Sequence, residues 1–300
     1  VKMFSDLNAA SQPDQGQLAT LSEAEKGYSL HHKTVWQRMA VSVAGPGANY
    51  LFATLVLALL YTFIGQRVPS FEPKLGTVTA QSPADLAGLK PNDIITAINN
   101  QPITTFSDMQ GIVMKNPLKS LTFTVKRQSE TFFANVTPSL SSGSIPTGQL
   151  GVGQGYDYIT VPFYKAPYRA FMDCIHISWH TLKLFGKMIT GQVSADGLSG
   201  PIGIANLIGK AVSEGWVELM WISAMLSISL GLINLLPVPL LDGGHLLFYI
   251  IEAVRGKPVS EKIQDMAFNI GFVLVISLML YSTWNDLSRL HVVTWIKNFF

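Results

Sequence analysis

The run Asn234-Leu-Leu-Pro-Val-Pro-Leu-Leu-Asp-Gly-Gly-His245 places one carboxylate, Asp242, at the end of an apolar segment that starts near Leu219. An ionisable side chain is costly to keep beside hydrocarbon, so its presence there marks a functional site. Pro237, Pro239, Gly243 and Gly244 interrupt the helix around it and free backbone groups. Such backbone survives at membrane depth only against protein or a water-filled cavity. The pattern implies a polar cavity in a bilayer, with Asp242 facing it. Two chemistries suit this carboxylate: a zinc ligand, since oxygen ligands sit beside histidines on zinc, and a catalytic acid. A third reading is an interfacial turn, because Asp-Gly-Gly is good turn chemistry. Asn234 can hydrogen-bond an exposed peptide backbone, or tie two helices together.

The histidines offer a competing site. His176 and His180 lie four apart, so they share one helix face. A hydrolytic zinc helix also needs Glu directly after the first His as general base. Ile177 occupies that position, which favours an ordinary pair of interfacial or core histidines. His31 and His32 are adjacent and cannot aim at one metal from a helix. His245 reads as a group near Asp242 or a polar residue at a helix start. Cys174 is the only cysteine, so an intrachain disulfide and a multi-cysteine zinc site are both excluded.

Elements of two kinds must position these residues. Only 13% of the chain is charged, about half of what a soluble domain carries. Residues 39–64, 219–241 and 266–285 form apolar stretches, and each reaches about the 20 residues that a spanning helix needs. Gly45-Pro46-Gly47 inside the first predicts a kink or close packing against a neighbour. The 164–190 stretch has helical periodicity with Lys165, Arg169, Lys183 and Lys187, and predicts an amphipathic helix along the membrane surface. Residues 197–209 read as loop around Ser199-Gly-Pro201. Ser22-Glu-Ala-Glu25 resembles a capping box. The net charge of +2 and the lack of basic runs exclude a nucleic-acid partner.

Between the first two spans the character changes. Short β-rich runs appear, with the pattern Ser82-Pro-Ala-Asp-Leu-Ala-Gly-Leu89 between them, a short helix with Pro in its first turn. An Asn99-Asn100 turn follows the next strand. This resembles the core of a PDZ domain, which binds peptides by adding a strand and often holds a terminal carboxylate; an occluded groove would instead make it a spacer or gate. The Ser/Gly-rich residues 139–155 read as a linker. Lys33, Arg38, Arg255, Lys257 and Lys262 put their two loops on the cytoplasmic side and the inserted domain outside.

The fold class expected is a polytopic α-helical membrane protein with three visible spans and an inserted small α+β PDZ domain. Its parts are a cytoplasmic segment (1–38), a span (39–64), the PDZ domain (70–140), a linker (141–163), an amphipathic helix and loop at the membrane surface (164–215), a broken span (216–245), a cytoplasmic loop (246–265), a span (266–285) and a tail (286–300).

Several separated motifs then agree in order: Val1-Lys2-Met3, Ala44-Gly-Pro-Gly-Ala-Asn49, the PDZ pattern, Leu198-Ser-Gly-Pro-Ile-Gly-Ile-Ala205, Asn234–His245, residues 258–265 and Asn285-Asp-Leu-Ser-Arg-Leu290. This order resembles the RseP-type bacterial site-2 proteases. The resemblance implies an intramembrane zinc endopeptidase of the inner membrane that performs regulated intramembrane proteolysis. It implies Asp242 as a zinc ligand, Asn234 with Pro237 and Pro239 as holders of substrate backbone, and a periplasmic PDZ domain that filters transmembrane substrates of anti-sigma-factor or signal-peptide-remnant type. The family's other two zinc ligands and its general base come from a His-Glu-x-x-His span. These 300 residues contain no such motif, so that span is expected upstream of Val1, and the 300 residues alone are expected to bind no stoichiometric zinc. The family often carries two PDZ domains; there is room for one here. A rival expectation is a membrane-anchored PDZ adaptor or pseudoprotease; a transporter is disfavoured because only one span is broken.

Overall fold

The computed structural model describes residues 33–141, 146–193 and 199–289. Val1–Met3, the capping-box pattern at Ser22–Glu25, His31 and His32 lie outside them. Two compact units emerge: Tyr61–Pro162, and the described residues up to Leu60 and from Phe163 onward.

The first span is α1 (Val35–Phe63). It begins four residues earlier than the charge-free stretch, taking in Arg38, and runs unbroken through Gly45-Pro46-Gly47.

The inserted unit contains β1 (Gln66–Pro69), β2 (Leu75–Val78), α2 (Pro83–Leu86), β3 (Ile94–Ile98), β4 (Gln101–Pro102), α3 (Phe106–Lys115), β5 (Leu121–Arg127), β6 (Glu130–Val136), β7 (Ser139–Leu140), β8 (Gly148–Gln149), β9 (Val152–Gln154) and β10 (Tyr156–Ile159). Alternation decides the core. Leu121, Phe123 and Val125 of β5 point inward between exposed or half-buried neighbours, as the two-residue strand period requires. Met109 and Val113, four apart on α3, close over them. The sheet order is β4-β3-β5-β6, all antiparallel. Asn99 and Asn100 take φ of 49° and 62°, which makes the tight β3–β4 turn.

Caps and a buried carboxylate's ion pair finish the unit. Thr105 accepts from the Asp108 amide, and Asp108 returns a bond to Thr105, a complete capping box. Those Thr105 bonds, with Thr104, hold the Asp108 carboxyl below its usual range. Fully buried Asp93 takes both Nε and Nη2 of Arg127, at 2.7 and 2.8 Å, and the Lys90 amide at 2.8 Å.

The described residues of 139–155 are not a linker, and the domain does not stop at residue 140. β8 pairs with β7, β9 with β2, and β10 with β1 directly after the first span. The glycines there serve close approach rather than flexibility. A Cβ at Gly148 would collide with the Val113 carbonyl, and one at Gly153 would lie 2.6 Å from Thr77 Oγ1. Gly151, at φ +77°, also leaves no room beside Ser82.

The remaining chain is helical: α4 (Ala166–Ile189), α5 (Pro201–Glu214), α6 (Trp216–Leu235), α7 (Asp242–Arg255) and α8 (Glu261–Arg289). α1, α6 and α8 are long and apolar enough to cross a membrane. Three expectations change here. The 197–209 loop gives way to α5 from Pro201 onward. The first half of the 246–265 loop is α7, because Leu246, Leu247, Ile250 and Ile251 recur at helical spacing until Gly256, at φ 67°, ends it. The last span starts at Glu261 and extends past residue 285.

Small residues let these helices meet. Ala166, Ala170, Cys174 and Ser178 form the buried face of α4. Ser178 Oγ lies 2.7 Å from Tyr50 Oη, and Cys174 Sγ lies 3.6 Å from Thr54 Oγ1, which lays α4 antiparallel against α1. On the other flank Ser227 Oγ of α6 donates to the Asn49 carbonyl at 3.0 Å. A Cβ on Gly231 would sit 3.0 Å from the Tyr50 ring.

Candidate functional site

The break between α6 and α7 follows from its prolines. Ile233 and Leu235 would normally accept from the amides of residues 237 and 239. Both are proline and have none. Ile233 turns to the Leu236 amide at 3.0 Å. Short bonds then fold the connection: Val238 N to Leu236 O at 2.7 Å, and Leu241 N to Val238 O at 2.8 Å. Gly243 and Gly244 clamp it from the far side. A Cβ on Gly243 would strike the carbonyls of Leu235 and Leu236, and one on Gly244 would strike Val238 and Pro239. Gly271 of α8 packs on the same loop: a Cβ there would lie 3.2 Å from the Leu240 amide nitrogen.

Asp242 is the first residue of α7 and is half-buried. The first turn of a helix favours an anionic side chain. Its Oδ2 lies 3.3 Å from where a Cβ on Gly45 would stand. Gly45 retains an exposed surface, so the carboxylate abuts a bare patch of α1. Asn234 is half-buried in the last turn of α6, Pro237 is exposed, and Pro239 is half-buried. The structure thus gathers Asn234, Pro237, Pro239 and Asp242 around one helix break, with α1 and α8 as walls.

The site's metal chemistry is partial. Among the described residues no group of three His, Cys, Asp or Glu could hold a metal ion. His176 and His180 are exposed on α4. Asp242 fits as one ligand: it is an oxygen donor, half-buried, facing a glycine that leaves it uncrowded.

Two contacts escaped sequence reasoning. Arg38 Nη2 of α1 pairs with Glu252 Oε1 of α7 at 2.5 Å, and its guanidinium lies 4.9 Å from the Tyr249 ring centre. Asp286, near the end of α8 and 3% exposed, accepts from the amides of Gly200 at 3.0 Å and Gly203 at 2.7 Å, capping α5. The only sequence signal is a charge inside or beside an apolar stretch.

In the inserted unit a groove of about 390 Å³ runs between α3 and residues 148–153, lined by Thr77, Phe106, Met109, Val113 and Gly151 among others. Among the described residues β9 pairs with one strand, β2.

Comparison with known proteins shows the family. Metalloprotease MmpA of Caulobacter vibrioides is 35% identical over 338 residues, covering 100% of this chain and 82% of that protein. Regulator of sigma-W protease RasP of Bacillus subtilis is 37% identical, covering 86% of this chain and 60% of that protein. Zinc metalloprotease RasP of Bacillus licheniformis is 36% identical, covering 87% and 61%. A solved PDZ domain of an SdrC-like protein from Listeria monocytogenes aligns with 29% of this chain at 15% identity and a TM-score of 0.25, and adds nothing to the topology above. Residues 1–278 match the family described as Peptidase family M50, and the chain belongs to that family of site-2 proteases.

Proposed function

We propose that this chain carries the substrate-holding part and one zinc ligand of an intramembrane metalloendopeptidase that cleaves membrane-spanning segments. The carrying observation is the position of Asp242: a carboxylate at the start of α7, just past a proline-broken span, against bare Gly45 of the first span.

A bound zinc ion supplies a Lewis acid and a water acidified toward neutrality. Asp242 would hold it through a carboxylate oxygen. The family resemblance assigns the other ligands and the general base to a His-Glu-x-x-His helix, which these 300 residues do not contain. Asn234 and the loop would hold the substrate. A helical segment hides its peptide bonds, so the cleaved stretch must be extended. The Asn234 carboxamide can donate to one carbonyl and accept from one amide of such a strand. Pro237 and Pro239 have no N–H to give the α6 carbonyls, which keeps the connection from continuing as helix.

The inserted unit would filter substrates. β9 presents a free edge along the α3 groove, the arrangement for adding a peptide strand. By the positive-inside tendency of the lysines and arginines beside the spans, this unit would face the periplasm and Asp242 would lie toward the cytoplasm of a bacterial inner membrane. Its substrates would be single-span proteins of the anti-sigma-factor or signal-peptide-remnant kind, as the family resemblance implies.

The test is cleavage of single-span substrates by the full-length protein in proteoliposomes, with and without a zinc chelator. Chelator-sensitive cleavage inside the spanning segment, abolished by Asp242→Ala, is expected. A protein that binds such substrates without cutting them would instead be a membrane-anchored adaptor.

A further inference from the structure

We propose that Arg38 is a positioning residue for Asp242, acting through α7. The proposal rests on the metal-ligand reading of Asp242. Arg38 and Gly45 are seven residues apart, so they share one face of α1. Gly45 meets Asp242, at the start of α7. Arg38 meets Tyr249 and Glu252, in its second half. The two helices therefore run antiparallel, touching at both ends of α7. Along α1 the two contacts are about 10 Å apart; along α7 Asp242 is about 10 Å from Tyr249 and about 15 Å from Glu252, a difference the long Arg and Glu side chains absorb.

Two separated contacts fix what one cannot. The clamp of Gly243 and Gly244 on the 235–239 backbone pins the start of α7 along its axis. It acts only at the first turn of α7, and the roll of the helix decides where the Asp242 carboxylate points. The Arg38–Glu252 pair holds that roll from the other end. The Arg38 and Glu252 side chains are only 16% and 15% exposed, so solvent screens their attraction little. The Tyr249 ring beneath the guanidinium adds a directional contact that a lysine at 38 would make poorly. A displacement near 1 Å at a reacting centre can cost roughly 100-fold, and loss of a residue that orients a metal ligand typically costs roughly 10- to 100-fold in metal affinity.

The test measures the geometry without metal. In the full-length protein with Cys174→Ala, Gly45→Cys and Asp242→Cys report the α1–α7 approach through their rate of disulfide formation. Zinc affinity is measured in parallel with the natural residues at 45 and 242. Glu252→Gln is expected to slow the cross-link several-fold and to weaken zinc binding roughly 10- to 100-fold. Arg38→Lys, a milder change, should fall between. Exchanging the charges, Arg38→Glu with Glu252→Arg, should recover much of both. An unchanged cross-linking rate in Glu252→Gln and Arg38→Lys would overturn the proposal. A slowed cross-link in a protein that binds no zinc in any form would leave Arg38 as the positioning residue and remove the metal-ligand reading.

Discussion

Asp242 Oδ2 stands 3.3 Å from the point that a Cβ on Gly45 would occupy. The first span therefore meets the candidate ligand through a residue with no side chain. Gly45→Ala forces a shift of a few tenths of an ångström and should reduce cleavage modestly. Gly45→Val adds two methyls toward the carboxylate and should cost roughly 100-fold, the scale of an ångström-sized misplacement. Rates of substrate cleavage in proteoliposomes check the order; equal rates for both variants would remove the contact from the mechanism.

Gly243 and Gly244 face backbone rather than side chains, and backbone cannot rotate away. Alanine at either position should destabilise the protein by about 1–3 kcal/mol, the usual cost of overpacking. Thermal unfolding in detergent measures it, with Gly47→Ala, where nothing lies within 4 Å, as the control expected to move far less.

Asp286 ties the end of α8 to the start of α5 through two backbone amides. Asp286→Ala leaves both without this acceptor and should cost about 1–2 kcal/mol, the upper range for a lost cap. Asp286→Asn keeps one acceptor oxygen and should lose less. Hydrogen exchange at residues 200–204 reads the cap directly: faster exchange is expected in the alanine variant.

The inserted unit should lose stability in acid. Thr105 and Thr104 hold the Asp108 carboxyl low, and Ser70, then Lys74, do the same for Asp157. A carboxyl depressed on folding stabilises the folded state fully above its unfolded value, near 4. That contribution disappears as pH falls below about 4 through the lower folded values. The urea midpoint of this unit should be level from neutral pH to about 5 and fall below 4. Asp108→Asn combined with Asp157→Asn should flatten the fall.

What the sequence made legible is what composition and short-range pattern encode. The three apolar stretches contain no Asp, Glu, Lys or Arg, and a helix covers most of each; the second runs past the end of α6 at Leu235 into the break. The helix at Pro83–Leu86 and the Asn99-Asn100 turn lie where local chemistry put them. The 139–155 stretch was illegible because glycine has two uses: the same Ser/Gly composition that loosens a linker also lets β8 and β9 pack against Val113 and Thr77. α7 was misread as loop because its charged end, Arg255 and beyond, outweighed the apolar spacing before it. The Arg38–Glu252 pair joins residues 214 apart, a separation no periodicity reports. Asp242 stood out only because a charge beside hydrocarbon is expensive; what it faces became visible with the fold.

The most direct test counts zinc. The full-length protein, purified without chelator, should hold about one zinc per chain, and Asp242→Ala should retain little of it while keeping its helical content and span–span packing. Full zinc occupancy in Asp242→Ala, together with unchanged substrate cleavage, would contradict the role assigned to this carboxylate.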